Sequence, residues 1–120
     1  MCGGVGAGND WAMHHFKNWG GALALAPDEL TVARLMRDYA CAIDREVIDL
    51  LPDDCRKALM SVRDGASDVQ SAAVTMMHRE LTFNGGGYVA DVLHEMAHTF
   101  AAASIRISRL RTEFPGRSAR

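Results

Sequence analysis

The chain has 120 residues, of which 48% are hydrophobic, and a formal net charge of −2. This length and composition predict one compact domain, residues 1–120, with a core of its own. The near-neutral charge excludes a strong overall attraction to nucleic acid or to anionic membranes, and no apolar run approaches the ~20 residues that a membrane span needs.

The amino-terminal stretch MCGGVGAGNDW has neither the basic nor the apolar region of a signal peptide. The three cysteines are odd in number and form no C-x-x-C pair, which favours reduced thiols in a cytoplasmic protein. Two of them, Cys41 and Cys55, are predicted to be small buried hydrophobic residues.

Glycine and aromatic residues dominate the start of the chain. The glycine-rich residues 1–10 are predicted to be flexible. The segment WAMHHFKNW follows with helical spacing of its aromatic residues, and Gly20 and Gly21 are expected to end this short helix.

A long amphipathic helix is predicted from Pro27 to about Leu51. Proline followed by acidic residues is typical of a helix start, and Pro52 is expected to end the helix. The residues predicted to face inward recur at steps of three or four: Leu30, Ala33, Met36, Ala40, Ile43, Val47 and Leu50.

Two further helices are predicted on either side of Gly65. The first opens at Asp53 and Asp54, and its inward residues are Cys55, Leu59 and Val62. The second opens with a capping box over residues 67–70 and runs to about Leu81. Its inward stripe is Val69, Ala72, Ala73 and Met76.

The segment FNGGGY is the clearest turn, and the last helix is predicted from about Tyr88 to Thr112, with a flexible tail at 113–120. No segment has the alternation of a strand. The sequence therefore predicts an all-α fold, a compact bundle of about four helices with a flexible glycine-rich amino terminus. The core stripe of the last helix is Val89, Val92, Leu93, Met96, Phe100, Ala103, Ile107 and Leu110.

The last helix contains the stretch LHEMAHTF, in which His94, Glu95 and His98 form the pattern H-E-x-x-H. At about 100° per residue, the two histidines share a face nearly opposite the core stripe, and Glu95 lies to one side of the pair. Imidazoles at positions i and i+4 are neighbours on a helix and can both bind one tetrahedral zinc ion.

In that scheme His94 and His98 are metal ligands, and the chain is expected to bind about one zinc ion per protomer. Zinc with an open position lowers the pKa of a bound water toward ~7. Glu95 would then be the general base that takes the proton of that water. The pattern thus predicts a zinc-binding protein and suggests a metal-dependent hydrolase.

The ten residues DVLHEMAHTF resemble the active-site helix of the zincin metallopeptidases. The resemblance implies peptidase activity, with His94 and His98 as ligands and Glu95 as the base. The metzincin branch requires glycine and histidine farther along the helix, where this chain has Ala101 and Ser104.

A third ligand for the metal ion could come from His78, upstream in the chain. His78 precedes Gly86 by eight residues and His94 follows it by eight, so an antiparallel hairpin could place the two side by side. The set His78, His94 and His98 loosely resembles the three-histidine metal site of DinB-like helical bundles. Further candidate ligands are Asp91, His14 and His15.

The alternative is a binding module without catalysis, for instance a homo-oligomeric helical bundle. The segment from Pro27 to Val74, with LLPDDCRKAL between two helices, is similar to the helical hairpin of phage proteins that sequester cyclic oligonucleotide signals.

From Arg106 to Arg120 there are five arginines and one glutamate. A phosphate-bearing ligand is therefore a further possibility, at Arg106, Arg109 and Arg111.

Overall fold

The structure is a computed structural model that describes residues 19–65 and 68–113. Within these ranges all regular structure is helical, as predicted, and six helical segments replace the expected four. The expectations for residues 1–18, including most of the short helix at WAMHHFKNW, and for residues 114–120 lie outside the described ranges, and Glu113, expected in the flexible tail, is the last residue of a helix. The segments are α1 (19–25), α2 (Glu29–Ala42), α3 (Arg45–Leu50), α4 (Asp53–Arg63), α5 (Val69–Thr82) and α6 (Gly87–Glu113).

Aspartates cap the starts of α2 and α5. Oδ1 of Asp28 accepts hydrogen bonds from the backbone N–H of Thr31 (2.8 Å) and from its hydroxyl (2.7 Å). Oδ1 of Asp68 accepts from the N–H of Gln70 (3.1 Å), so Asp68 occupies the cap position that the sequence pattern gave to Ser67. Both caps satisfy amide groups that a first helical turn leaves without partners.

The long helix predicted from Pro27 to Leu51 is interrupted. Ile43 is extended (φ −79°, ψ 128°). The backbone carbonyl of Asp44 then begins a new helical turn by accepting hydrogen bonds from the N–H groups of Val47 and Ile48. Val47 and Ile48 of α3 are both buried after this change of direction. The inward-facing residues predicted for this helix are wrong near its two ends: Leu30, Ala33 and Leu50 are exposed.

The expected helix break at Gly20 and Gly21 is also wrong, because residues 19–25 are helical. Glycine within a helix costs only about 1 kcal/mol relative to alanine. Packing offsets that cost: Leu23 is fully buried, and the Trp19 ring packs edge-on against Tyr39 with centroids 6.0 Å apart.

The core lies between four helices. α5 packs against α6 as an antiparallel hairpin, α4 packs against α5, and α2 packs against both α4 and α6. The predicted inward stripes of α4, α5 and α6 are all buried, apart from the half-buried Val89. The largest buried side chains include Tyr39, Phe100, Met36, Leu59, Met76, Leu93 and Met96.

Long-range polar contacts connect these helices at their edges. The guanidinium of Arg79 on α5 binds both carboxylate oxygens of Asp54 on α4, at 3.0–3.2 Å. Nε of Arg37 donates to the carbonyl of Arg63 at the end of α4, where carbonyl groups lack intrahelical partners. These contacts orient α2 and α5 relative to α4.

The turn between α5 and α6 depends on glycine at two positions. Gly87 has φ +73°, in the left-handed region that favours glycine. At Gly85, a Cβ atom would lie 2.6 Å from the ring of Phe83, which packs against the core. The predicted turn at FNGGGY is therefore confirmed. Glycine is needed at Gly87 for its backbone conformation and at Gly85 for the close approach of the Phe83 ring.

The two described cysteines differ. Cys55 is free and fully buried, and burial raises the pKa of its thiol to about 12, which makes it unreactive. Cys41 is half-buried and disulfide-bonded, so the expected buried, reduced thiol is found only at Cys55. Among the described helices, none combines the length and apolar character that crossing a bilayer requires.

Candidate functional site

The two histidines of the H-E-x-x-H pattern lie next to each other on the outer face of α6. The ring centroids of His94 and His98 are 4.3 Å apart, with the ring planes inclined by 59°. Both side chains are exposed, because α6 turns its opposite face toward the core. Two imidazoles are thus held side by side in solvent on a rigid helix.

A carboxylate from the neighbouring helix holds one of these rings. Nδ1 of His94 lies 2.7 Å from Oε2 of Glu80 on α5. The hydrogen bond to this carboxylate raises the pKa of His94, against a smaller opposing effect of desolvation. Because the carboxylate accepts, Nδ1 carries the hydrogen, and Nε2 is the ring nitrogen with a free lone pair in the neutral state.

The register of the α5–α6 hairpin brings Glu80 to this position. At the far end of the hairpin, the Gln70 side chain amide donates to the Ser104 carbonyl (3.5 Å) and the Ser108 hydroxyl (3.2 Å). Glu80 lies on the edge of the buried stripe of α5, one turn after Met76. A carboxylate at the edge of a buried stripe can reach the neighbouring helix. This position could have indicated Glu80 as a partner of His94, but the sequence analysis did not identify it.

His78 does not form a group with His94 and His98 among the described residues. It precedes Glu80 by two residues, or about 200° around the helix, and its side chain is exposed. Asp91 is exposed on α6, and His14 and His15 lie outside the described residues. Among residues 19–65 and 68–113, no three His, Cys, Asp or Glu side chains form a group that could hold a metal ion.

Glu95 is half-buried beside the pair. Its carbonyl oxygen accepts a hydrogen bond from the Thr99 hydroxyl (3.1 Å). Its charge contributes to the raised pKa of His94 and also to that of Tyr39, for which burial is the main cause. The charge of Glu95 therefore acts both on the exposed His94 and on the buried Tyr39.

The three arginines suggested as phosphate contacts differ in their surroundings. Nε of Arg106 donates to the carbonyl of Ala26 (2.9 Å), and Arg111 pairs with Glu29 and Gln70. Arg109 is exposed beside a shallow surface depression that Ile105 also lines. Arg106 and Arg111 thus have structural contacts that a phosphate would have to displace.

His94 and His98 are the residues of this surface that could hold a metal ion. The two histidines have the i, i+4 spacing at which two imidazoles can reach one ion, and Glu80 is a carboxylate of the kind that commonly holds a ligating histidine. The described residues do not provide the third ligand of a catalytic zinc site within one chain. No family model, curated protein or solved structure matches the chain.

Proposed function

We propose that this chain is a helical-bundle protein that binds zinc through His94 and His98. One observation supports the proposal. The ring centroids of His94 and His98 are 4.3 Å apart, and His94 is hydrogen-bonded to Glu80 on the neighbouring helix. A ligating histidine typically donates its other ring N–H to a carboxylate, which fixes the ring and increases its basicity. Glu80 provides such a carboxylate at Nδ1 of His94.

The electrostatics of the site also favour a cation. Glu80 lies in direct contact with His94, and Glu95 and Asp91 both act on the same ring through their charges. A divalent ion bound at the imidazoles would be surrounded by negative charge without requiring any of these carboxylates as a ligand. The role we assign to Glu80 is positioning, and the ligands are the histidines.

Alanine substitution of each histidine tests the proposal. We expect His94→Ala and His98→Ala to weaken zinc binding at least tenfold in calorimetric titrations, because each leaves a single imidazole. Zinc should also raise the melting temperature of the wild type, since a ligand at 100 times its Kd stabilises the native state by about 2.7 kcal/mol. Both variants should lose this zinc-dependent shift.

His78→Ala is the matched control, because it removes an exposed histidine from the partner helix of the hairpin. A two-histidine site predicts unchanged zinc affinity in this variant. A loss equal to that of His94→Ala would instead support the three-histidine set. If wild-type protein neither binds zinc nor gains thermal stability from it, the proposed function is wrong.

A second candidate is hydrolysis at the same site, with Glu95 as general base. The order of the residues in H-E-x-x-H supports it. So does the position of Glu95, whose charge acts on the ring of His94. This role requires a substrate and an additional ligand for the metal, and its test is the substitution Glu95→Gln.

A further inference from the structure

The histidine pair lies on an outer surface that also contains large exposed apolar residues. On α5, Val74, Met77 and Leu81 are 67%, 43% and 82% exposed. On α6, Ile105 is 54% exposed. We define the histidine face as His94, His98 and Ile105 of α6 with Val74, Met77 and Leu81 of α5.

Helical geometry and the contacts between the helices place these residues on one side of the hairpin. Val74, Met77 and Leu81 are spaced by three and four residues, so they share one face of α5, on which the exposed His78 also lies. Met77 lies in the chain between Gln70 and Glu80, two residues whose side chains hydrogen-bond to α6. Ile105 follows His98 by seven residues and therefore continues its face of α6.

The zinc site of one chain is incomplete. Zinc in proteins is almost always bound by four ligands in a tetrahedron, and His94 and His98 supply two of them. No further His, Cys, Asp or Glu among the described residues joins them. The exposure of both rings leaves room for ligands that come from another molecule.

We propose that a second copy of this chain completes the site, so that His94 and His98 of each copy bind a shared zinc ion across a two-fold axis. This proposal rests on the proposed zinc-binding function. A two-fold interface brings the same patch of both copies together, which supplies four imidazoles at once. It also covers the apolar residues of both histidine faces, which are otherwise exposed to water.

The carboxylates around the histidine pair favour a cation shared between two copies. Four neutral imidazoles leave the double positive charge of zinc uncompensated. The Glu80 carboxylate beside His94 contributes one negative charge from each copy, and Asp91 and Glu95 also act on that ring, so both copies supply charge opposite to that of the ion. A second copy would complete the site with groups that this surface already presents, two adjacent imidazoles and a carboxylate.

The test is the mass and the zinc content of the full chain, measured by sedimentation in zinc and in chelator. We expect a monomer in chelator and a dimer in zinc, with about one zinc ion per pair of chains. Absence of zinc binding would overturn the proposed function itself. Zinc bound at one ion per chain with the mass of a monomer would overturn only the shared site.

Two matched substitutions test the apolar part of the interface. Met77→Glu places a charge on the histidine face, and Leu30→Glu places one on an exposed leucine of α2. We expect Met77→Glu to raise the dimer dissociation constant in zinc at least tenfold, and Leu30→Glu to leave it unchanged. The opposite ranking, or a dimer that persists in His94→Ala/His98→Ala, would overturn the proposal.

Discussion

Nδ1 of His94 lies 2.7 Å from Oε2 of Glu80, and this contact joins α6 to α5 close to the turn that connects them. The same contact raises the pKa of His94 and leaves its Nε2 atom free for a metal. The stability of the hairpin therefore depends on the protonation of His94. The chemistry of the site also depends on Glu80, which lies outside the H-E-x-x-H pattern.

The first prediction concerns Glu80→Gln in metal-free protein. We expect the pKa of His94 to fall toward its ordinary value of 6.5, as measured by NMR titration of the imidazole protons. The wild-type pair stabilises the fold below the unfolded-state pKa, and this stabilisation is lost as pH rises through the raised folded-state pKa. The His94 side chain is 52% exposed, so the effect on stability is screened by solvent.

Glu46→Gln serves as the control for that titration, because Glu46 is an exposed carboxylate on α3. Its substitution should leave the His94 titration unchanged. A His94 pKa that moves equally in both variants would indicate a general charge effect in place of the Glu80 contact.

The second prediction concerns zinc affinity in the same Glu80→Gln variant. Removing the carboxylate that holds a ligating histidine typically lowers metal affinity by about 10–100-fold. We expect a loss in this range by calorimetric titration, with both histidines still present. Unchanged affinity would show that Glu80 does not position His94 for the metal.

The third prediction concerns the ion pair of Asp54 and Arg79. The hydrogen bond from Arg79 lowers the pKa of Asp54, which is 3.8 in its ordinary environment. The pair therefore stabilises the fold above that pH, and this contribution is lost as pH falls through the lowered pKa. Asp54→Asn should flatten the acid limb of a urea-midpoint profile, whereas Asp49→Asn, on the exposed side of α3, should not.

The fourth prediction concerns the turn before α6. Gly87 has φ +73°, so Gly87→Ala should destabilise the protein by about 1–2 kcal/mol, the cost of left-handed backbone for an L-residue. Gly86 has a negative φ and open space around its Cα. Gly86→Ala should therefore change the urea midpoint little, and equal losses in the two variants would contradict this explanation.

The buried stripes of α4, α5 and α6 could be predicted because each repeats at helical spacing within one unbroken helix. The interruption at Ile43 could not, because no proline or glycine marks it and Ile43 and Val47 continue the apolar spacing across it. Here the tertiary packing of Val47 and Ile48 determines the direction of the chain. Periodicity alone does not distinguish one long helix from two that share a core.

The histidine pair could likewise be placed from sequence, since both residues belong to one helix. Its partner on α5 could not, because this depends on the register and rotation of two helices. A hairpin symmetric about Gly86 would bring His78 to His94, whereas the structure brings Glu80. A shift of two residues is about 200° on a helix, so a small error in register selects the wrong face.

The last prediction separates metal binding from hydrolysis. In the hydrolytic scheme Glu95 accepts the proton of the attacking water, so Glu95→Gln should retain zinc affinity while losing most turnover on a peptide and ester panel. His94→Ala and His98→Ala should lose both. General-base catalysis contributes about 10²–10⁴-fold, and the loss in Glu95→Gln should lie in that range. If zinc-loaded wild type is inert across the panel while zinc still produces the dimer, the site joins two chains and the hydrolytic role of Glu95 is wrong.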